Sequence, residues 1–305
     1  MGSGSPPAVI GAPQWRLRDR VLDLGVPVAA GIVNVTDDSM FEGARSGTAQ
    51  QAVADGVALA EVGFDLIDVG AVAARSGPPV GPEEEAAKLV PAVEGLASAL
   101  DVPVTADTFS PQVAARALDA GAAAINDIGG GSPEMFELVA ERGCGYVLMH
   151  IEGPPRVDRE LPRYGDVVAH LKEWFAGRLE AAVAAGVATE QVVLDPGLDF
   201  DLSVDDDLEI LRRLGELHSL GRPLFISLSR KDFLGAVLAG SWDERLGTES
   251  REWGTAAATA LAVAVAAGAQ IHRLHDASAL QSLRMAAAVM GARVDPAEGT
   301  EHAGG

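Results

Sequence analysis

The chain has 305 residues, 48% of them hydrophobic and 22% charged, and a formal net charge of −21. That composition supports a large core and argues against wholesale disorder. No Lys/Arg-rich run marks a nucleic-acid binder, and no apolar run reaches the roughly 18 residues of a membrane span. One cysteine, Cys144, excludes an internal disulfide, and the opening Met1–Pro7 lacks the basic and apolar parts of a signal peptide, so a cytoplasmic protein is expected.

Residues 1–12, rich in Gly, Ser and Pro, read as a flexible tail. Gln14–Leu24 holds two short alternating runs around Asp19-Arg20, which suggests a β-hairpin. Eight apolar runs follow: Val28–Val35, Leu66–Val69, Val102–Ala106, Ala123–Asn126, Tyr146–Met149, Val192–Leu194, Pro223–Leu228 and Gln270–Leu274. Each reads as a strand covered on both faces. Between them, Thr48–Val62, Glu83–Leu100, Pro111–Ala120, Pro133–Arg142, Tyr164–Ala185, Asp205–Leu220 and Arg251–Ala267 carry helical apolar stripes, and Ser278–Met290 follows the last strand. Gly63, Gly121 and Gly268 stand where a helix must stop before the next strand. Strand–helix alternation implies a parallel sheet. Eight units without a break in composition favour one closed (β/α)8 barrel over residues 13–294 rather than a doubly wound sheet, with the hairpin closing its bottom. The polar stretch 295–305 is expected to be a second loose tail.

Such barrels carry their chemistry at the C-terminal ends of the strands. Here those ends are polar in every unit: Asn34, Asp68, Asp107, Asn126-Asp127, His150, Asp195, Ser229-Arg230-Lys231 and Arg273-Leu274-His275-Asp276. A single carboxylate there is usually a helix cap or loop anchor. A ring of eight polar ends that includes Asn, Lys and Arg is better explained by a site. Lys231, Arg273 and His275 place cations after strands seven and eight, where barrels often hold phosphate. In so acidic a chain this clustering implies an anionic substrate group. Asp107, Asn126 and Asp195 suit a flat heterocycle rich in N–H donors and ring nitrogens. Cys144 reads as packing.

The ordered series Gly31–Ser39, Ile67–Gly70, Ala106–Thr108, Ile125–Ile128, Leu148–His150, Leu194–Gly197, Ser227–Gly235 and Arg273–Asp276 resembles the dihydropteroate synthases over about residues 14 to 292. That resemblance implies a pterin-binding barrel. The implied reaction condenses 6-hydroxymethyl-7,8-dihydropterin pyrophosphate with p-aminobenzoate to 7,8-dihydropteroate and pyrophosphate. By position, Asp107, Asn126, Asp195 and Lys231 would bind the pterin, with Asp107, Asp195 and Lys231 catalytic. Asn34, Arg273 and His275 would hold the pyrophosphate, and Asn34 would also help bind Mg²⁺. Arg75, Ser229 and Lys231 would meet the aminobenzoate. The resemblance further implies a homodimer formed through late helices.

Three departures stand out. Asp37 replaces a usual Pro, and Met40-Phe41-Glu42-Gly43 replaces Phe-Ser-Asp-Gly. Ala71-Val72-Ala73-Ala74-Arg75-Ser76 replaces Gly-Glu-Ser-Thr-Arg-Pro, and Asp199-Phe200-Asp201-Leu202 replaces Gly-Phe-Gly-Lys. The first two resemble changes in sulfonamide-resistant members of the family. The competing expectations are a pterin-binding paralogue without synthase activity and a methyltetrahydrofolate-binding methyltransferase domain.

Overall fold

A computed structural model describes residues 13–35, 48–73, 79–157, 160–264 and 268–291. It begins with an antiparallel hairpin of β1 (Gln14–Arg16) and β2 (Val21–Asp23), closed by the Leu17 amide donating to the Arg20 carbonyl at 2.9 Å. Eight parallel strands follow: β3 (Val28–Asn34), β4 (Leu66–Gly70), β5 (Val104–Asp107), β6 (Ala124–Asp127), β7 (Gly145–Met149), β8 (Val192–Asp195), β9 (Phe225–Ser227) and β10 (Ile271–Leu274). Hydrogen-bonded neighbours run in chain order from β3 to β8, β10 pairs with both β3 and β9, and a bridge from Leu194 to Leu224 closes the ring. A doubly wound sheet would have two open edges, so this closure decides for the barrel.

The helices are α1 (Ala49–Glu61), α2 (Pro82–Ala99), α3 (Pro111–Asp119), α4 (Pro133–Arg142), α5 (Val167–Ala184), α6 (Val204–Arg212), α7 (Asp232–Ala239), α8 (Glu252–Ala264) and α9 (Ala277–Val289). Their starts follow local chemistry. Ser110 and Ser132 each cap a helix that has Pro in its first turn, the hydroxyl accepting the amide three residues on. Their ends follow it too: Gly63 and Gly121 take φ of 99° and 110°. Two spans differ from the periodicity. The helix expected over 205–220 ends at Arg212 and continues as a 3₁₀ turn over Leu214–Leu220, with the poor helix former Gly215 at the break. The short α7 has no counterpart in the expected helices. It buries five successive residues, Asp232 to Ala236, so it shows no polar face to set a period.

The core has two large parts. Outward-facing strand residues pack under the helices, and Cys144 lies among them, fully buried, its thiol pushed up to about 12 by burial. Inside the barrel, Ala30, Leu66, Ala124, Val147, Val193, Phe225 and Ile271 form an apolar floor. Trp15, Leu17 and Leu24 from the hairpin seal it from below. The Trp15 indole donates to the Gln191 carbonyl at 2.7 Å, and the Gln191 amide donates on to the Cys144 carbonyl at 2.7 Å. At Gly145 a Cβ would stand 2.5 Å from Leu17 Cδ2 and 3.0 Å from Trp15 Cε2, so the plug requires glycine there. None of the described helices is long and apolar enough to cross a membrane.

Since Trp15 is wholly buried, Trp15→Ala should cost about 3–5 kcal/mol of unfolding free energy in urea melts. A loss below about 1 kcal/mol would show that the hairpin is not part of the core.

Candidate active site

Strand alternation turns the apolar floor into a polar mouth. Inward residues two positions above the floor are Asp68 above Leu66, Asn126 above Ala124, Asp195 above Val193 and Arg273 above Ile271. They meet across the interior. Asp68 is fully buried and accepts from Thr105 Oγ1 at 2.5 Å, Asn126 Nδ2 at 3.0 Å and Arg273 Nε at 2.5 Å. Arg273 Nη2 reaches Asp107 Oδ2 at 2.8 Å. One guanidinium on β10 thereby ties β4 to β5, and Asp68 brings in β6 through Asn126. The sequence places Asp68 in the polar ring without marking a role for it. Its signal is a carboxylate at an inward position of the otherwise apolar Leu66–Gly70.

Desolvation dominates the electrostatics. Burial pushes Asp107 up to about 7, with Arg273 pulling it back. Burial pushes Asp195 up to about 6, while the Gly197 amide, 2.8 Å away, and Lys231 pull it down. Burial, then Arg273 and Arg230, push His275 down to about 3. His275 is therefore a neutral imidazole, not the cation its position suggests. Its Nδ1 lies 2.8 Å from Ser229 Oγ. An arriving anion would raise its basicity again.

The expected residues gather at one mouth. Asp107, Asn126, Asp195, Arg273 and His275 sit at the ends of β5, β6, β8 and β10, with Ser229 and Lys231 just beyond β9. Lys231 Nζ stands 4.5 Å from the centroid of the Phe200 ring. Asn34 ends β3 in register with Gly70, which is itself in register with Asp107, so it lies on the same rim. Arg75, Asp37, Met40 and Phe41 lie outside the described residues.

Other polar ends do structural work. Asp127 accepts from Tyr146 Oη at 2.6 Å and from the amides of Gly129 and Gly131 at 2.7 and 3.1 Å, which shapes its loop. Asp276 caps α9 and pairs with Arg230 at 2.6 Å. His150 Nε2 and His170 Nε2 lie 3.3 and 2.6 Å from Glu152 Oε1, joining the loop after β7 to α5. The trio is compact enough for a metal ion, yet His150 Nδ1 is buried without a partner among the described residues. Ligating imidazoles want an acceptor at that second nitrogen, so the trio reads as a hydrogen-bonded clasp. Asp199 and Asp201 adopt φ of 71° and 52°, which explains why glycine suits both positions. Aspartate is among the few other residues that tolerate this backbone.

Removing the hub carboxylate should be costly, because Arg273 would keep its buried charge with one partner fewer. Asp68→Ala is expected to lose about 3 kcal/mol or more in urea unfolding. An unchanged midpoint would show that the cluster does not hold the mouth together.

The model of the pterin binding enzyme family matches residues 30–275. The chain is 34% identical to the dihydropteroate synthase of Escherichia coli K12 over 275 residues, 89% of this chain and 95% of that one. It is 39% identical over 283 residues to a Mycobacterium leprae protein named inactive dihydropteroate synthase 2, covering 88% and 94% of the two chains. The solved structure of Xanthomonas albilineans dihydropteroate synthase with 4-aminobenzoic acid is 36% identical, superposes with a TM-score of 0.81, and is matched over 92% of this chain and 100% of that one. A closed barrel whose mouth gathers Asp107, Asn126, Asp195, Lys231 and Arg273, together with these matches over most of its length, makes the chain a member of the dihydropteroate synthase family of pterin-binding enzymes.

Proposed function

We propose that this chain is a working dihydropteroate synthase. It condenses 6-hydroxymethyl-7,8-dihydropterin pyrophosphate with p-aminobenzoate and releases pyrophosphate. The observation that carries this reading is the pairing, within one mouth, of two desolvated carboxylates, Asp107 and Asp195, with Lys231, Arg273 and His275.

Asp107, Asn126 and Asp195 face the edge of the pterin that is rich in N–H donors, and the two carboxylates accept from it. As the C–O bond to pyrophosphate lengthens, positive charge spreads over the pterin ring, and the same carboxylates stabilise it. The leaving group needs the opposite environment. Arg273 holds Asp68 and Asp107 through Nε and Nη2, and among the described residues its Nη1 makes no hydrogen bond. That edge, the other ring nitrogen of His275 and the Asn34 amide are the groups to meet the phosphates. Asn34 offers one oxygen on a rim of carboxylates. This suits Mg²⁺, which takes oxygen ligands and keeps several of them as water and substrate phosphate. When bound, the ion would neutralise leaving-group charge. Lys231 contacts the pterin ring from the side and, with Ser229 and Arg75, receives the carboxylate of p-aminobenzoate, whose amine then attacks the pterin CH2 and loses a proton. A cytoplasmic location and insensitivity to sulfonamides belong to the same reading, the latter resting on the altered segments around Asp37 and Arg75.

The Mycobacterium leprae relative named as inactive favours one second reading, a pterin binder without turnover. Release of pyrophosphate from the pterin pyrophosphate separates the two. The synthase reading predicts release that requires p-aminobenzoate and is abolished by excess chelator. Tight pterin binding with no amine-dependent release would establish the second reading.

The dimer is also part of the proposal. α8 and α9 pack side by side and leave Trp253, Leu261, Met285, Val289 and Met290 exposed, Trp253 at 82% and Val289 at 77%. Such a contiguous apolar patch marks an interaction surface, here for a second copy. Sedimentation should report a dimer, and the Leu261→Glu/Met285→Glu variant a monomer. A wild-type monomer at micromolar concentration would overturn this assembly.

A further inference from the structure

We propose that Asp199 is a positioning residue that aims Lys231 at the pterin. The inference rests on the reading that Lys231 meets the pterin.

Lys231 is the N-cap of α7, yet its own side chain caps nothing. The first amides of that helix are served instead by a residue 33 positions away: Asp199 Oδ2 accepts from the Asp232 amide at 2.5 Å and Asp199 Oδ1 from the Phe233 amide at 3.0 Å. Asp199 is 95% buried by its 5% exposure, and its own amide donates to Asp207 Oδ1 of α6 at 3.0 Å. Asp199 therefore joins α6 through its backbone amide and the start of α7 through its carboxylate. A negative charge at a helix N-terminus is favourable, and two charge-assisted hydrogen bonds hold it there.

The grip is two-sided. On the far side, Arg251 Nη1 donates to the Arg230 carbonyl at 2.9 Å and to Asp232 Oδ1 at 2.6 Å. Arg230 is itself in the left-handed region at φ 60°. Lys231 is thus fixed between two held neighbours. Phe200, the residue after Asp199, presents its ring 4.5 Å from Lys231 Nζ. One carboxylate sets both the root of the lysine and the aromatic face that directs its tip. The left-handed backbone at Asp199 is a conformation in which glycine is at ease, so aspartate there stands in a costly position and supplies the cap in return.

The test is a double-mutant cycle with 6-hydroxymethylpterin as the probe in calorimetry. Asp199→Gly keeps a backbone suited to the turn and removes the cap. It should weaken pterin binding about tenfold. Placed on Lys231→Ala, it should change the affinity by less than about twofold, since the group it aims is gone. An equal loss in both backgrounds would make Asp199 a general structural cap and overturn the proposal. So would a folded Asp199→Gly protein with unchanged affinity. If Lys231→Ala alone leaves the affinity unchanged, the pterin reading of Lys231 fails first and takes the proposal with it. Should Asp199→Gly not fold, Asp199→Asn serves in the same cycle. Its amide oxygen can accept from only one well-placed donor without charge, and a smaller loss confined to the Lys231 background is expected. A loss of equal size in both backgrounds overturns the proposal here too.

Discussion

A full positive charge inside a barrel is tolerable only if something inside the barrel answers it. Arg273 rises from β10 into the interior, and Asp68 and Asp107 answer it from β4 and β5. The rest of the mouth depends on this contact. Asp68 has no other ionic partner among the described residues, and it also takes the hydrogen bonds of Thr105 and Asn126. The arrangement orients Asn126 and pins Asp107 from one side. A buried ion pair of this kind contributes little net stability, because desolvation offsets most of the attraction. What it supplies is geometry, together with a carboxylate whose charge is kept within reach.

The apolar floor makes that electrostatics possible. Trp15, Leu17 and Leu24 close the bottom of the barrel and put apolar surface beneath the charged layer. Low polarisability below and limited water above raise Asp107 and Asp195 toward neutrality, to about 7 and about 6. The same burial holds His275 neutral. A ligand with N–H donors on one edge and phosphates on the other would pull both ends into their charged forms. The hairpin lies far from the chemistry in sequence and place, yet it sets the dielectric in which the chemistry occurs.

Much of this was legible in the residues. The eight strands announce themselves because short, doubly buried runs alternate with striped helices, and the polar strand ends locate the mouth. Other features were hidden for physical reasons. α7 escaped because five of its eight residues are buried in succession, which erases the helical period. The break in α6 was masked because a 3₁₀ turn over Leu214–Leu220 keeps much the same apolar spacing. His275 looked like a cation because charge state depends on burial and on Arg273, neither of which a string of letters displays. Asp199 looked like a mere departure from the family. Its role emerges only when the start of α7, 33 residues later, folds back onto it.

In the proposed function, Asp107 and Asp195, raised by desolvation, receive the pterin. Their signature is proton movement on binding. At pH 6.5 Asp107 and Asp195 are both partly protonated, given values of about 7 and about 6. A ligand whose N–H groups donate to them favours the ionised forms and so expels protons. Calorimetric titration with 6-hydroxymethylpterin at pH 6.5, in two buffers of different ionisation heat, measures this directly. Net proton release is predicted, fading as the pH rises above 8. Proton uptake, or no exchange at all at pH 6.5, would contradict the account.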